Sequence, residues 1–351
     1  MENKPLFSEI RPMYISSADT PNVMNFRLRM KDPIDGKMLQ QAVDTTMRRY
    51  PYFCVRLTQK GRDRFFEKND RPVVVIHSES GVELNAEASH DHLLAVSWYE
   101  DWILIYMSHA LTDGTGAYHF MKTLLYYYCS AFYQVEPKCP GVWLATDEID
   151  PEEWEDPCLS IKDVPPAEGG EAVPALNVMP AAPVSGNAGK TVTEIAISES
   201  EFMRFNSQNE GSPATMMALL LGRTFSGFFP DAAESIRVSL CVNLRKATQT
   251  PLAHQALVGG IWLEYAEQIR DWSLEKQMTV IRGKLMAEMR KKKLMAQVHH
   301  NIRQTNEILA LETDSERAAA GDTSAVVQMN LFEDAYVVSP EGSSGPGRYA
   351  Q

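Results

Sequence analysis

Positive charge is what this sequence is short of. Lys and Arg number 34 against 46 for Asp and Glu, a formal net charge of −12. A chain this acidic is repelled by polyphosphate backbones and anionic bilayers, which excludes nucleic-acid or membrane-surface binding as its main task. Cysteines are few and scattered: Cys54, Cys129, Cys139, Cys158 and Cys241 form no C-x-x-C pair, which removes the usual zinc and redox arrangements and fits reduced thiols in a cytosol. No apolar run has the length needed to cross a bilayer, and the first twelve residues lack the basic-then-apolar order of a secretion signal. The expectation is a soluble cytoplasmic protein without a membrane span. Neither G-x-G-x-x-G nor G-x-x-x-x-G-K-[ST] occurs, so phosphate-cradling glycine loops of those kinds have no support.

What is present is a core-forming composition: 351 residues, 44% hydrophobic and 23% charged, enough for two ordinary domains. Over residues 35–50, Met38, Leu39, Ala42, Val43 and Met47 recur at helical spacing. Asp35 or Gly36 caps the start and Pro51 forbids continuation. Strand-like runs follow at 52–57, 64–66 and 73–76. Two more, at 93–99 and 102–107, are separated only by Glu100 and Asp101, as in a tight hairpin between core strands. Residues 116–133 are apolar and aromatic nearly all round, which predicts a buried helix whose Tyr126, Tyr127, Tyr128, Phe132 and Tyr133 serve packing.

Residues 136–190 hold nine of the 20 prolines and eleven acidic residues against three lysines, the composition of a solvated linker. Beyond it the pattern predicts a strand at 191–197, a helix at 199–209 capped by Ser198 with Glu201, and a buried helix at 213–229 opened by Ser212 and Pro213, with Met216 and Met217 filling its core side. A strand at 236–242 and one long helix at 273–311 complete the series. Strands and helices in mixed order indicate an α+β fold. The expected organisation is an N-terminal subdomain at 1–145, an acidic Pro-rich linker at 146–189 and a C-terminal subdomain at 190–351.

One short segment carries chemistry. Ser108-His109-Ala110-Leu111-Thr112-Asp113-Gly114 has the form H-x-x-x-D-G, expected by chance about 0.02 times in a chain of this composition. It lies between a predicted core strand and a predicted buried helix, so the strand aims the imidazole into a crevice and Gly114 lets the backbone turn into the helix. An imidazole with a pKa near about 6.5 is mostly free base at neutral pH and can pass a proton onward, which makes His109 the candidate general base. A histidine simply buried and satisfied by backbone groups is the alternative that this placement outweighs.

With His109, Asp113 and Gly114, the upstream LQQAVDTTMRRYPYF and the downstream VSLCVNLRKATQTP, the sequence resembles the CoA-dependent acyltransferase superfamily of the chloramphenicol acetyltransferase-like fold. It is most similar to the alcohol acetyltransferase and condensation-domain branch, over about residues 10–310. The resemblance implies two α/β sandwich subdomains in a V arrangement around a channel, with acyl-CoA as co-substrate, no metal, and a small-molecule alcohol or amine as acceptor. It further implies that Asp113 points away from substrate and pairs with Arg245 from the other half, a motif-structural role, with Gly114, rather than a chemical one. Ser108 stands where many condensation relatives carry a second histidine, which favours acyl transfer from CoA over condensation on an acyl-carrier protein. Residues 312–351 do not resemble the family's closing strands, so the second subdomain is expected to be incomplete, and a catalytically inactive scaffold is the competing reading.

The remaining candidates are weaker. Ser108 and Asn243 are possible substrate contacts, with strand-end capping an equal role for Asn243. His90-Asp91-His92 has metal-ligand residue types but reads as a solvated turn. The run Arg290-Lys291-Lys292-Lys293, with His299 and His300, reads as a solvated helix face, the alternative being a dock for CoA phosphates or a carrier protein.

Overall fold

Strands buried on both faces organise the N-terminal half. The computed structural model describes residues 12–14, 22–161, 163–166, 197–232, 234–321 and 327–329, with the backbone alone at 321 and 327–329. The first sheet contains β1 (Val23–Arg29), β4 (Val75–His77), β5 (Leu94–Tyr99) and β6 (Trp102–Ser108) in the order β1-β6-β5-β4, antiparallel except that β4 runs parallel to β5. Its central hairpin turns at Glu100, which takes a left-handed φ of 48°, and registers Tyr99 opposite Trp102. Along β6, Ile103, Ile105 and Met107 enter the main core while Leu104 and Tyr106 enter a second cluster on the opposite face. This two-sided burial is the reason the strand reads as a continuous apolar run rather than an alternating one. A separate hairpin joins β2 (Val55–Lys60) to β3 (Asp63–Lys68). The predicted start of the strand at 52–54 is instead a tight turn, Pro51–Phe53, because proline at its first position favours helical dihedrals.

Helix α1 (Gly36–Arg49) begins at Asp35, whose carboxylate accepts the Lys37 and Met38 N–H groups, and it buries Leu39, Ala42, Val43 and Thr46 against α2 (Gly114–Tyr133). α2 is buried along Ala117, Phe120, Met121, Leu124 and Tyr128. Each fully buried large apolar side chain of this kind stabilises the fold by about 1.5–3 kcal/mol. All five cysteines are free thiols, and no helix among the described residues is long and apolar enough to cross a membrane.

The C-terminal half carries α3 (Glu199–Gln208), capped by Ser198, and α4 (Pro213–Phe228), capped by Ser212. Its sheet consists of β7 (Ile236–Asn243), β8 (Val258–Tyr265) and β9 (Val327–Met329) in the order β8-β7-β9. Residues 327–329 thus supply a parallel partner to β7, with Val327 opposite Val238, within the tail expected to leave the second subdomain incomplete. The predicted strand at 191–197 lies almost wholly outside the described residues.

Two expectations are corrected. The long helix of 273–311 is two helices, α6 (Leu274–Glu288) and α7 (Lys291–Ala310), separated at Met289 and by an extended Arg290. α6 packs Met278 and Ile281 into one core, whereas α7 packs Leu294, Val298 and Ile302 into another. A straight rod serves both poorly. The linker is solvated only in part. Glu153, Asp156, Pro157 and Cys158 are buried in two short turns, Pro151–Glu153 and Pro157–Ser160, because the Glu153 carboxylate meets Arg49 bidentately, both bonds 2.7 Å.

Candidate active site

β6 ends at Ser108 and delivers the chain into a tight loop. The His109 N–H bonds to the Asn22 carbonyl (2.9 Å), and the Leu111 N–H closes on the Ser108 carbonyl (3.0 Å). Ser108 is buried, with its hydroxyl oxygen accepting the Ala110 N–H at 3.3 Å, a local bond that supports the loop. His109 is half-buried, and its imidazole makes no hydrogen bond to any described residue.

Asp113 is engaged on every side. Only 1% exposed, it caps α2 by accepting the Thr115 and Gly116 N–H groups (3.0 and 3.2 Å). It also takes a bidentate pair from Arg245, at 2.8 and 2.9 Å, and the Leu257 N–H at 3.0 Å. Five donors on one carboxylate leave no lone pair for a substrate, which makes this a structural group. Arg245 is equally committed: its remaining donors reach the Ala253 carbonyl (2.6 Å), the Gln255 carbonyl (2.9 Å) and the Asn243 amide oxygen (3.3 Å). Asn243, exposed at the end of β7, accepts the Arg245 N–H through its side chain (3.0 Å) and donates to the Thr115 hydroxyl (3.3 Å). Asn243 therefore braces the chain just before the one-turn helix α5 (Arg245–Thr248), whose N-cap is Leu244, while facing the other half of the chain.

Gly114 opens α2 without a left-handed φ, so the tight turn expected of it is not what the position requires. The sterically essential glycine is Gly116. A Cβ there would lie 2.0 Å from the Thr112 hydroxyl and 2.9 Å from the His254 carbonyl. That approach lets Thr112 donate to the His254 carbonyl at 2.5 Å, tying the motif loop to the 253–257 loop. The 253–257 loop is tied in turn to the linker, with the His254 N–H on the Glu153 carbonyl (2.9 Å) and the Gln255 amide on the Trp154 carbonyl.

Sequence reasoning missed the packing behind this junction. His254 is 1% exposed within a cage of Tyr50, Tyr52, Phe53, Trp143 and His119. His119 stacks on Trp143 with centroids 4.2 Å apart. Burial, reinforced by the Lys122 and Arg245 charges, pushes His119 down to about 4. His254 is held well below the usual imidazole range, chiefly by burial. Both rings are therefore neutral at pH 7, and no local spacing in the sequence marks them.

The other sequence candidates are accounted for differently. His90-Asp91-His92 is not a solvated turn: His92 is fully buried with Nε2 on the Arg71 carbonyl (2.7 Å), and Asp91 pairs with Arg71 at 2.7 Å. Arg71 pins the turn from outside it. No group of three or more His, Cys, Asp or Glu among the described residues is arranged to hold a metal. Arg290, Lys291, Lys292 and Lys293 are exposed at the corner between α6 and α7. Beside the motif, Thr115, Asn243, Arg245, Lys246, Gln249 and Pro251 line a crevice of about 490 Å³.

Comparison with solved structures gives this geometry a context. Polyketide synthase associated protein 5 from Mycobacterium tuberculosis superposes with a TM-score of 0.59 at 18% identity, covering 86% of this chain and 75% of that one. F. graminearum TRI101, solved with coenzyme A and deoxynivalenol, gives 0.56 at 11% identity over 94% and 84%. The first condensation domain of the CDA synthetase gives 0.55 at 14% over 83% and 74%. The chain has their fold. No protein-family model and no curated protein matches the sequence, so the likeness is one of fold.

Proposed function

We propose that this chain transfers an acetyl or other acyl group from acyl-CoA to a small-molecule alcohol or amine, with His109 as general base. The observation that carries the reading is a contrast at the motif loop: Asp113, with Arg245, spends its polar atoms on the fold, while the imidazole four residues before Asp113 has no hydrogen-bond partner among the described residues.

In this reading the free-base His109 takes the proton of the acceptor O–H or N–H as the heteroatom attacks the thioester carbonyl. The tetrahedral intermediate collapses with cleavage of the C–S bond, and the CoA thiolate leaves with the proton that His109 returns. No covalent enzyme intermediate is needed, because the thioester is already activated. The Gly114 N–H, which Asp113 does not use, is the donor we assign to the developing oxyanion. Holding both substrates in line supplies much of the remaining acceleration.

The test is thiol release from acetyl-CoA across a panel of alcohols and amines. Acceptor-dependent release with a matching acylated product is expected. A protein that binds CoA yet releases no thiol beyond hydrolysis with any acceptor would favour the non-catalytic scaffold. Transfer only from a phosphopantetheinylated carrier protein would favour a condensation activity.

A further inference from the structure

The crevice beside the motif carries an exposed cation and no carboxylate. Its walls come from both halves of the chain: Thr115 from the first turn of α2, Asn243 from the end of β7, and Arg245, Lys246, Gln249 and Pro251 from α5 and the turn after it. In a chain of net charge −12, no carboxylate lines it. The Arg245 charge is neutralised by Asp113 at 2.8 Å. Lys246 is exposed, and among the described residues it forms no ion pair. Around it stand Thr115, Asn243 and Gln249, the Asn243 amide donating to the Thr115 hydroxyl. Gln249 ends α5 in a left-handed conformation with φ of 62°, which turns the chain so that Pro251 completes the wall.

One uncompensated cation with neutral hydrogen-bonding groups and no competing anion is a site for a phosphate. We infer that this crevice holds a phosphate of the pantetheine-bearing donor and that Lys246 is its cationic contact. The inference rests on the acyl-transfer reading for the identity of the donor. One wall of the crevice, Thr115, lies six positions after His109 on the motif segment.

Equilibrium binding to the full chain, followed by calorimetry, separates the possibilities. The probes are CoA, 3′-dephospho-CoA, 4′-phosphopantetheine and unphosphorylated pantetheine. Pantetheine is expected to bind the wild-type protein at least tenfold more weakly than CoA. Lys246→Met is expected to weaken CoA by about tenfold and pantetheine by less than twofold, whereas Lys246→Arg keeps most of the CoA affinity. Dephospho-CoA binding as well as CoA, with 4′-phosphopantetheine close behind, would assign the phosphates next to pantetheine. A loss with dephospho-CoA would assign the 3′-phosphate. CoA binding that is equal in wild type and Lys246→Met, with unchanged melting of the variant, overturns the inference and leaves the His109 reading intact. A His109→Ala variant that still transfers acyl groups at the wild-type rate would overturn that reading without touching the phosphate site.

Discussion

His119 and His254 are ionisable groups that the interior keeps neutral. His254 has both ring nitrogens buried without partners, His119 has its Nδ1 so, and an imidazolium in that cage would face Arg49 and Arg245. The consequence for stability follows from linkage. Because the folded His119 titrates at about 4 rather than 6.5, the unfolded chain takes up the proton first. Stability is complete above pH 6.5 and is lost as pH falls from there to about 4, by roughly 3 kcal/mol from this group. His254 acts in the same direction. Urea unfolding at pH 7 and pH 4.5 is expected to show a smaller drop in midpoint for His119→Gln than for wild type; an equal drop in both would show that His119 does not titrate in this way. These two histidines are also where the sequence was silent. His109 and Asp113 stand within a five-residue spacing that can be recognised, whereas the cage around His254 is assembled from segments as far apart as Tyr50 and His254. Gly116 went unremarked because its requirement comes from the Thr112 hydroxyl and the His254 carbonyl, not from its own dihedrals.

Among the elements, the segment after α2 shows how composition misleads. Its prolines and acids read as a solvated linker, yet Glu153 is 3% exposed and anchors Arg49, with the Tyr52 hydroxyl donating to the same carboxylate at 3.0 Å. The partner lies 104 residues away, beyond any local pattern. Arg49 also lies over the Trp143 ring at 5.0 Å, so the pair and the aromatic cage form one packed unit under the motif loop. Glu153→Gln leaves the Arg49 guanidinium buried without an anion and is expected to cost about 3–5 kcal/mol in denaturant unfolding. Glu148→Gln, at an exposed position of the same segment, should change nothing measurable. Equal midpoints for the two variants would contradict a structural linker. Elements with a local cause were legible: α1 from its apolar spacing and Asp35, α3 and α4 from Ser198 and Ser212, the β5–β6 hairpin from its two-residue turn. The break between α6 and α7 was not, because no Gly or Pro marks Met289 or Arg290 and the bend is set by two cores lying in different directions.

In the molecule as a whole, the two halves are joined by more than the Asp113–Arg245 pair. α7 places Leu294, Val298 and Ile302 in the core beside β7 and then Ile308 and Leu309 in the N-terminal core. The next helix, α8 (Asp314–Gly321), sits on the β2–β3 hairpin: Asp314 takes a bidentate pair from Arg64 at 2.8 and 2.7 Å. Arg317, 1% exposed, donates to the Tyr14 hydroxyl, the Asp63 carboxylate and the Arg62 and Leu309 carbonyls. Arg317→Met removes the buried guanidinium that joins the Tyr14 hydroxyl, the Asp63 carboxylate and two backbone carbonyls, and is expected to destabilise the protein by about 2–4 kcal/mol, read as a lower unfolding midpoint with one cooperative transition. An unchanged midpoint would mean that the C-terminal helix does not hold the hairpin. This strap ties the end of α7 and α8 to the β2–β3 hairpin, while the Arg245 pair fixes the loop that carries His109 against the second half. The decisive comparison is therefore kcat/KM for acyl transfer by wild type and by His109→Ala, with the same acceptor and with melting temperatures recorded for both. A loss of about 10²- to 10⁴-fold in a variant that melts like wild type is expected of a general base; transfer at the wild-type rate would contradict it.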